Sequence, residues 1–190
     1  MILLDLRGKV LEMGTPKLNL AQIQHMAGQV ADFIAEQRQS FAPLAEPLSK
    51  AQRASFEPYF PANILTNTRF LRVDKLVDPP FYPELEKLGF TKLPQSSAMA
   101  AATFVDVIAA QEDFYDALRF HELVHAVQYQ QLGLAAFAER YVVGFLNGGG
   151  YEQIPLEQNA YQLDRCFTAD PHQQIDVLAE VKRWIREGRF

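Results

Sequence analysis

Cysteine is nearly absent from this chain: Cys166 is the only one in 190 residues. An internal disulfide framework is therefore excluded, and a reducing compartment is the natural expectation. Histidine is also scarce, with four residues, and tryptophan is represented by Trp184 alone. No sustained apolar run occurs at the start, where MILLDLRGKVLEM is broken by Asp5 and Arg7. That pattern predicts neither a secretory signal nor a membrane span, which makes the cytoplasm the expected location. A basic stripe is missing too, and the net charge of −5 argues against a nucleic-acid surface. Repeats and low-complexity linkers are absent. What remains is ordinary for a globular protein: 48% apolar and 22% charged residues, in a length that suits one compact domain.

Against this plain background, residues 121–125 read His-Glu-Leu-Val-His. Two histidines four apart stack on one helical face, close enough to share a metal ion through their ring nitrogens. The glutamate between them points aside, where it can take a proton from a metal-activated water. The surrounding EDFYDALRFHELVHAVQYQQL contains no Gly or Pro and stops at Gly133, so a helix over about 113–132 is predicted, with Asp113 or Glu112 favouring its N-terminus. His121 and His125 share a stripe with Phe114, Leu118 and Leu132, while Phe120, Val124 and Val127 form a second one. Such a helix packs on more than one side. Buried imidazoles also need partners for their second nitrogen, and the motif alone names none.

A tetrahedral catalytic zinc needs a third protein ligand. A metzincin-type histidine shortly after His125 is missing, since the next is His172, and Cys166 is a weak substitute. Three glutamates follow: Glu139 in a helical stretch where an exposed charge is ordinary, Glu152 in a loop after the glycines 148–150, and Glu157 in IPLEQNAYQLDRCF. Pro155 suits the first turn of a new helix there. A ligand on a second rigid helix is the better-preorganised arrangement, which favours Glu157 over Glu152. For a donor to a developing oxyanion the candidates are Tyr129, Tyr141, Tyr151, Tyr161 and His172, with Tyr161, one turn after Glu157, as first choice. Any of these tyrosines could equally be a core-edge residue with its hydroxyl satisfied elsewhere.

The combination FHELVHAVQYQQLG, then Phe137 and Tyr141, then GGGYEQIPLEQNAY resembles the gluzincin group of metallopeptidases, and more closely small bacterial zincin-like proteins. The resemblance implies that His121, His125 and Glu157 bind zinc, that Glu122 is the general base, and that a peptide or protein is the substrate. It also implies a zincin edge strand above the metal, matched here by the run Ala98 to Ala109. Two departures stand out. The acid that thermolysin-like enzymes place one turn after the third ligand is replaced by Tyr161, with Asp164 two turns after instead, and the spacing from His125 to Glu157 is longer.

The rest of the chain predicts an α+β, zincin-like domain over 1–190: a mostly helical elaboration over 1–62, then a small mixed sheet and a mainly helical C-terminal half around the metal site. Asn19 caps an amphipathic helix over 19–39 with Leu20, Ile23, Ala27, Val30 and Ile34 on one face, leaving His25 at the surface. A short helix fits between Ser49 and Phe56, a strand over 64–76, and one or two helical turns before Gly89. Helices are expected over 135–146, 155–168 and 172–187. The last carries Ile175, Leu178, Val181 and Trp184 on one face and reads as a core helix rather than a lid over the cleft. Two other functional readings remain beside a zinc peptidase. One is a non-catalytic zinc protein that binds a partner, against which the intact Glu122 counts. The other is a protease module directed at one cellular target, which composition cannot separate from a general peptidase.

Overall fold

The computed structural model describes residues 18–148, 150–170 and 173–190. Residues 1–17, Gly149, Pro171 and His172, the last a candidate oxyanion donor, lie outside the described residues. Helix α1 (Leu20–Phe41) begins with a reciprocal cap, in which the Asn19 side chain accepts from the Gln22 amide at 3.0 Å and the Gln22 side chain accepts from the Asn19 amide at 2.9 Å. Ala27 and Ile34 are buried on its expected face, whereas Leu20 at its start is exposed, as is His25. Strand β1 (Glu46–Pro47) follows, then α2 (Lys50–Phe56), where Ser49 and Gln52 repeat the same capping box.

The expected strand over 64–76 is shorter than its apolar pattern. Its first residues belong to α3 (Ala62–Asn67), which lets adjacent Ile64 and Leu65 both enter the core, and β2 occupies only Arg69–Arg72. After α4 (Tyr82–Lys87), the run expected as one edge strand is instead a hairpin of β3 (Ala101–Phe104) and β4 (Val107–Ala110). Its two-residue turn places Val105 at φ 63°, a conformation in which glycine is the usual occupant. Arg38 at the end of α1 clamps the turn through both oxygens of Asp106, at 2.5 and 2.8 Å. The sheet is mixed, in the order β1-β2-β4-β3: β2 and β4 run parallel and both outer pairings are antiparallel. Strand β3 is therefore an edge.

Helix α5 (Asp116–Leu132) carries the HExxH string and starts three residues later than its pattern predicts. Gln111 holds the preceding segment as a tie, donating to the Ser96 and Met99 carbonyls and accepting from the Leu76 amide. The helix ends where glycine was expected, with Gly133 at φ 75°. Every residue from Phe120 to Tyr129 is buried, so α5 is the central element. Around it stand α6 (Leu134–Gly148), α7 (Pro155–Ala169) and α8 (Val177–Arg186), while α1 lies on α6 and β3 packs on α5. Phe120, Val124 and Val127 of α5 share one cluster with Phe56, Phe60, Val177 and Val181. A second cluster joins Tyr129 to Ile34, Phe104, Phe137 and Leu156. Helix α8 buries Val177, Val181 and Trp184, and lines neither cavity at the site described below, as a core helix does. Among the described residues the architecture is thus α+β, with eight α-helices and a small mixed sheet.

Candidate metal centre

His121, His125 and Gln128, spaced four and three residues apart on α5, face α7. Helix α7 is set at the right height by a close approach: a Cβ built on Gly144 of α6 would lie 2.6 Å from Cδ of Pro155, the first residue of α7. Only glycine leaves room for that ring, and Glu157 stands in the first turn directly after it. The result brings His121, His125 and Glu157, all buried, to one point. Nε2 of His125 lies 3.2 Å from Nε2 of His121, and Oε2 of Glu157 lies 3.3 and 3.6 Å from them respectively. Four ligands at ~2.0–2.1 Å around a tetrahedral zinc stand about 3.4 Å apart, so these three atoms already have the edge lengths of such a site.

The second nitrogens of both rings show what the first ones must be. Nδ1 of His125 donates to Oε1 of Gln128 at 2.8 Å. The amide of Gln128 cannot be reversed, because its Nε2 donates to the Leu156 carbonyl and to Oδ1 of Asn159, both at 3.0 Å, and a carbonyl can only accept. Nδ1 therefore carries the proton, and Nε2 turns a lone pair toward the cluster. His121 is placed alike: its Nδ1 lies 3.4 Å from Oδ2 of Asp164, an acceptor when ionised. Two lone pairs and a carboxylate oxygen thus converge, and that buried Oε2 has no hydrogen-bond partner. Such a convergence needs a positive charge at its centre. A divalent cation fits it. In the metal-free protein a proton must serve, and the electrostatics agree. Burial opposes a charged His121, but the Asp164 and Glu157 carboxylates outweigh it and raise its pKa to about 10. Burial likewise opposes ionisation of Glu157, yet His125 and His121 hold it well below the usual carboxylate range. His125 is raised as well, by Glu157 against its own burial.

Glu122 is buried beside the cluster without joining it. Its Oε2 accepts a 2.6 Å hydrogen bond from the Thr103 hydroxyl on β3, which ties the edge strand to the carboxylate. Tyr161 packs its ring 4.6 Å from that of His121, and burial followed by the nearby Glu157 pushes its phenol up to about 12. It is a neutral donor at ordinary pH. Tyr151 also reaches the site, and Tyr129 and Tyr141 lie beyond His125. Of the other carboxylates considered, Glu139 is exposed and Glu152 stands exposed beside the cleft, neither within the cluster. Cys166 packs against the first core cluster.

No protein-family model, curated protein or solved structure matches the chain. Three of the site's residues carried no signal in the motif: Gln128, Asn159 and Thr103. Gln128 follows His125 by three residues on the same helix face, and that spacing was the available clue.

Proposed function

We propose that the protein is a zinc-dependent metallopeptidase of the gluzincin type, with His121, His125 and Glu157 as ligands and Glu122 as general base. The observation that carries this reading is the convergence of two imidazole lone pairs and an unpartnered carboxylate oxygen at tetrahedral spacing, with a separately held glutamate beside them. Zinc held there supplies Lewis-acid chemistry, lowering the pKa of a water and polarising a carbonyl. Glu122, fixed by Thr103 and facing the cleft, accepts the proton of the attacking water and passes it to the leaving nitrogen. An extended peptide pairs its main chain with the edge strand β3, whose Ala101 and the preceding Ala100 line the cleft. Tyr161 donates a hydrogen bond from its neutral phenol to the oxyanion as it develops. Among the described residues no helix is long and apolar enough to cross a membrane.

Metal analysis tests the ligand set. Wild-type protein should hold about one zinc per chain, His125→Ala should lose it, and Glu139→Ala should keep it. A wild type that stays metal-free after growth and dialysis in zinc overturns the proposal. Glu122→Gln then separates base from ligand: zinc stays, and hydrolysis of a peptide library falls at least about a hundredfold. Joint loss of zinc and activity in that variant would make Glu122 a ligand and the assignment wrong.

A further inference from the structure

Two cavities of different character meet at Glu122. One is the cleft, a groove of about 490 Å³ that reaches His121, Tyr161 and Asp164 and runs along Ala100 and Ala101. The other lies behind His125 and Glu157, a chamber of about 130 Å³ walled by Val30, Phe33, Phe104, Phe137, Tyr129 and Tyr141. Met99, Glu122 and Tyr151 line both and form the sill between them. A chain lying in the groove can thus turn one side group past Glu122 into the chamber.

We propose that the chamber is a specificity pocket that admits one apolar side chain of the substrate, of leucine to phenylalanine size, with α1 as its outer wall. This rests on the metallopeptidase reading. Size argues for it first, since an apolar cavity of about 150 Å³ holds one benzene ring. Charge argues next. Among the described residues no lysine or arginine lines the chamber, so an acidic side chain would meet the carboxylates of Glu122 and Glu157, with His125 committed to the metal. A basic one would shed its hydration for carboxylates already committed, Glu122 to Thr103 and Glu157 to the metal it would hold. Burial, reinforced by Glu157, holds the phenols of Tyr129 and Tyr141 well above their ordinary pKa, so the far wall is neutral.

The walls are also built in advance. Gln111 joins the Leu76 and Met99 segments, and Ser96 binds Oδ1 of Asp78 at 2.7 Å and the Val77 carbonyl at 2.9 Å. Tyr129 and Phe137 stack 3.7 Å apart, and the Arg38 clamp fixes the end of α1 to the hairpin. A preformed pocket spares the ordering cost that a mobile one would impose on its ligand. In this arrangement Val30 and Phe33 set how large a group can enter.

Three hydroxamic acids measure the pocket without requiring turnover. On zinc-loaded full-length protein, calorimetry should find phenylacetohydroxamic acid at least about tenfold tighter than acetohydroxamic acid, the gain expected from burying one such group. 2-Naphthylacetohydroxamic acid should lose that gain. Val30→Phe, in protein that still binds zinc, should collapse the phenyl preference, and Phe33→Ala should restore binding of the naphthyl compound. Equal affinities for the phenyl and methyl compounds in the zinc-loaded wild type would overturn the pocket and leave the metal centre standing. Should the wild type take up no zinc, the metallopeptidase reading fails separately. The chamber is then judged by benzyl alcohol on the metal-free protein, followed by thermal shift. Stabilisation absent from Val30→Phe supports the pocket, and no stabilisation of the wild type overturns it.

Discussion

The two histidines of one motif are held in two different ways. On the groove side, His121 leans on Asp164, a charged partner that keeps part of its surface in water. On the chamber side, His125 leans on Gln128, a neutral and fully buried amide whose remaining donors are both taken up by α7. Either partner fixes the tautomer. They differ in what the surroundings tolerate: a carboxylate is cheap where solvent reaches it and costly in a dry interior without a counter-ion. The choice of acid or amide is therefore set by burial rather than by the histidine it serves.

Exchanging the partners is the strongest way to break this comparison. Gln128→Glu would set a carboxylate against the Leu156 carbonyl and Oδ1 of Asn159, in a fully buried position. Urea unfolding of the metal-free protein should show a loss of about 3 kcal/mol or more, the range for an uncompensated buried charge. A loss below 1 kcal/mol, on the order of a surface change, would mean that burial does not dictate the amide.

Proton linkage sharpens the comparison on the groove side. The pKa of His121 stands near 10 in the folded metal-free protein, above its ordinary value of 6.5. Its contribution to stability is thus fully present below pH 6.5 and lost as pH rises through about 10. Zinc must displace that proton, so zinc affinity should climb by about tenfold per pH unit across neutral pH. Calorimetry in buffers of different ionisation enthalpy should detect about one proton released on zinc binding. Zinc uptake at neutral pH with no proton release would contradict the charged state assigned to His121.

A smaller effect is expected from Asp164→Asn. It removes the largest of the carboxylate contributions that raise His121 while keeping an acceptor for Nδ1. Zinc affinity should fall by about tenfold, the low end for an outer partner of a metal ligand, and stability should change by less than in Gln128→Glu. The smallest expected change lies away from the cluster. Val105→Gly should relieve the turn that presents β3, raising stability by about 1 kcal/mol as read by thermal unfolding, with zinc content unaltered. A destabilised variant would show that Val105 packing outweighs its backbone strain.

Legibility in the sequence followed how local each determinant is. The capped starts at Asn19 and Ser49, the stop at Gly133 and the buried course of α5 depend on residues a few positions apart. The hairpin was missed because Val105-Asp106 lacks the Asn-Gly or Asp-Gly chemistry that marks a two-residue turn, and a salt bridge from Arg38 holds it instead. Ile64 and Leu65 read as strand residues because their helix is set by where Phe60 and the core lie, which no local pattern records. In the site, both histidines and Glu157 were visible as residue types at meaningful spacing. Gln128 and Asn159 were not, since a glutamine and an asparagine on two helices look alike whether they face water or each other.

Gly144 carries a lesson about mutational tolerance. It is not in a left-handed conformation, touches no ligand, and sits amid an apolar helix where alanine would ordinarily be welcome. Its constraint is volume alone. One added methyl group meets a proline ring that cannot rotate away, so the strain must pass into the first turn of α7, where Glu157 stands two residues further on. A position that local propensity would rate as freely substitutable is thereby bound to the geometry of the cluster, and the residues this site depends on reach beyond those that touch it.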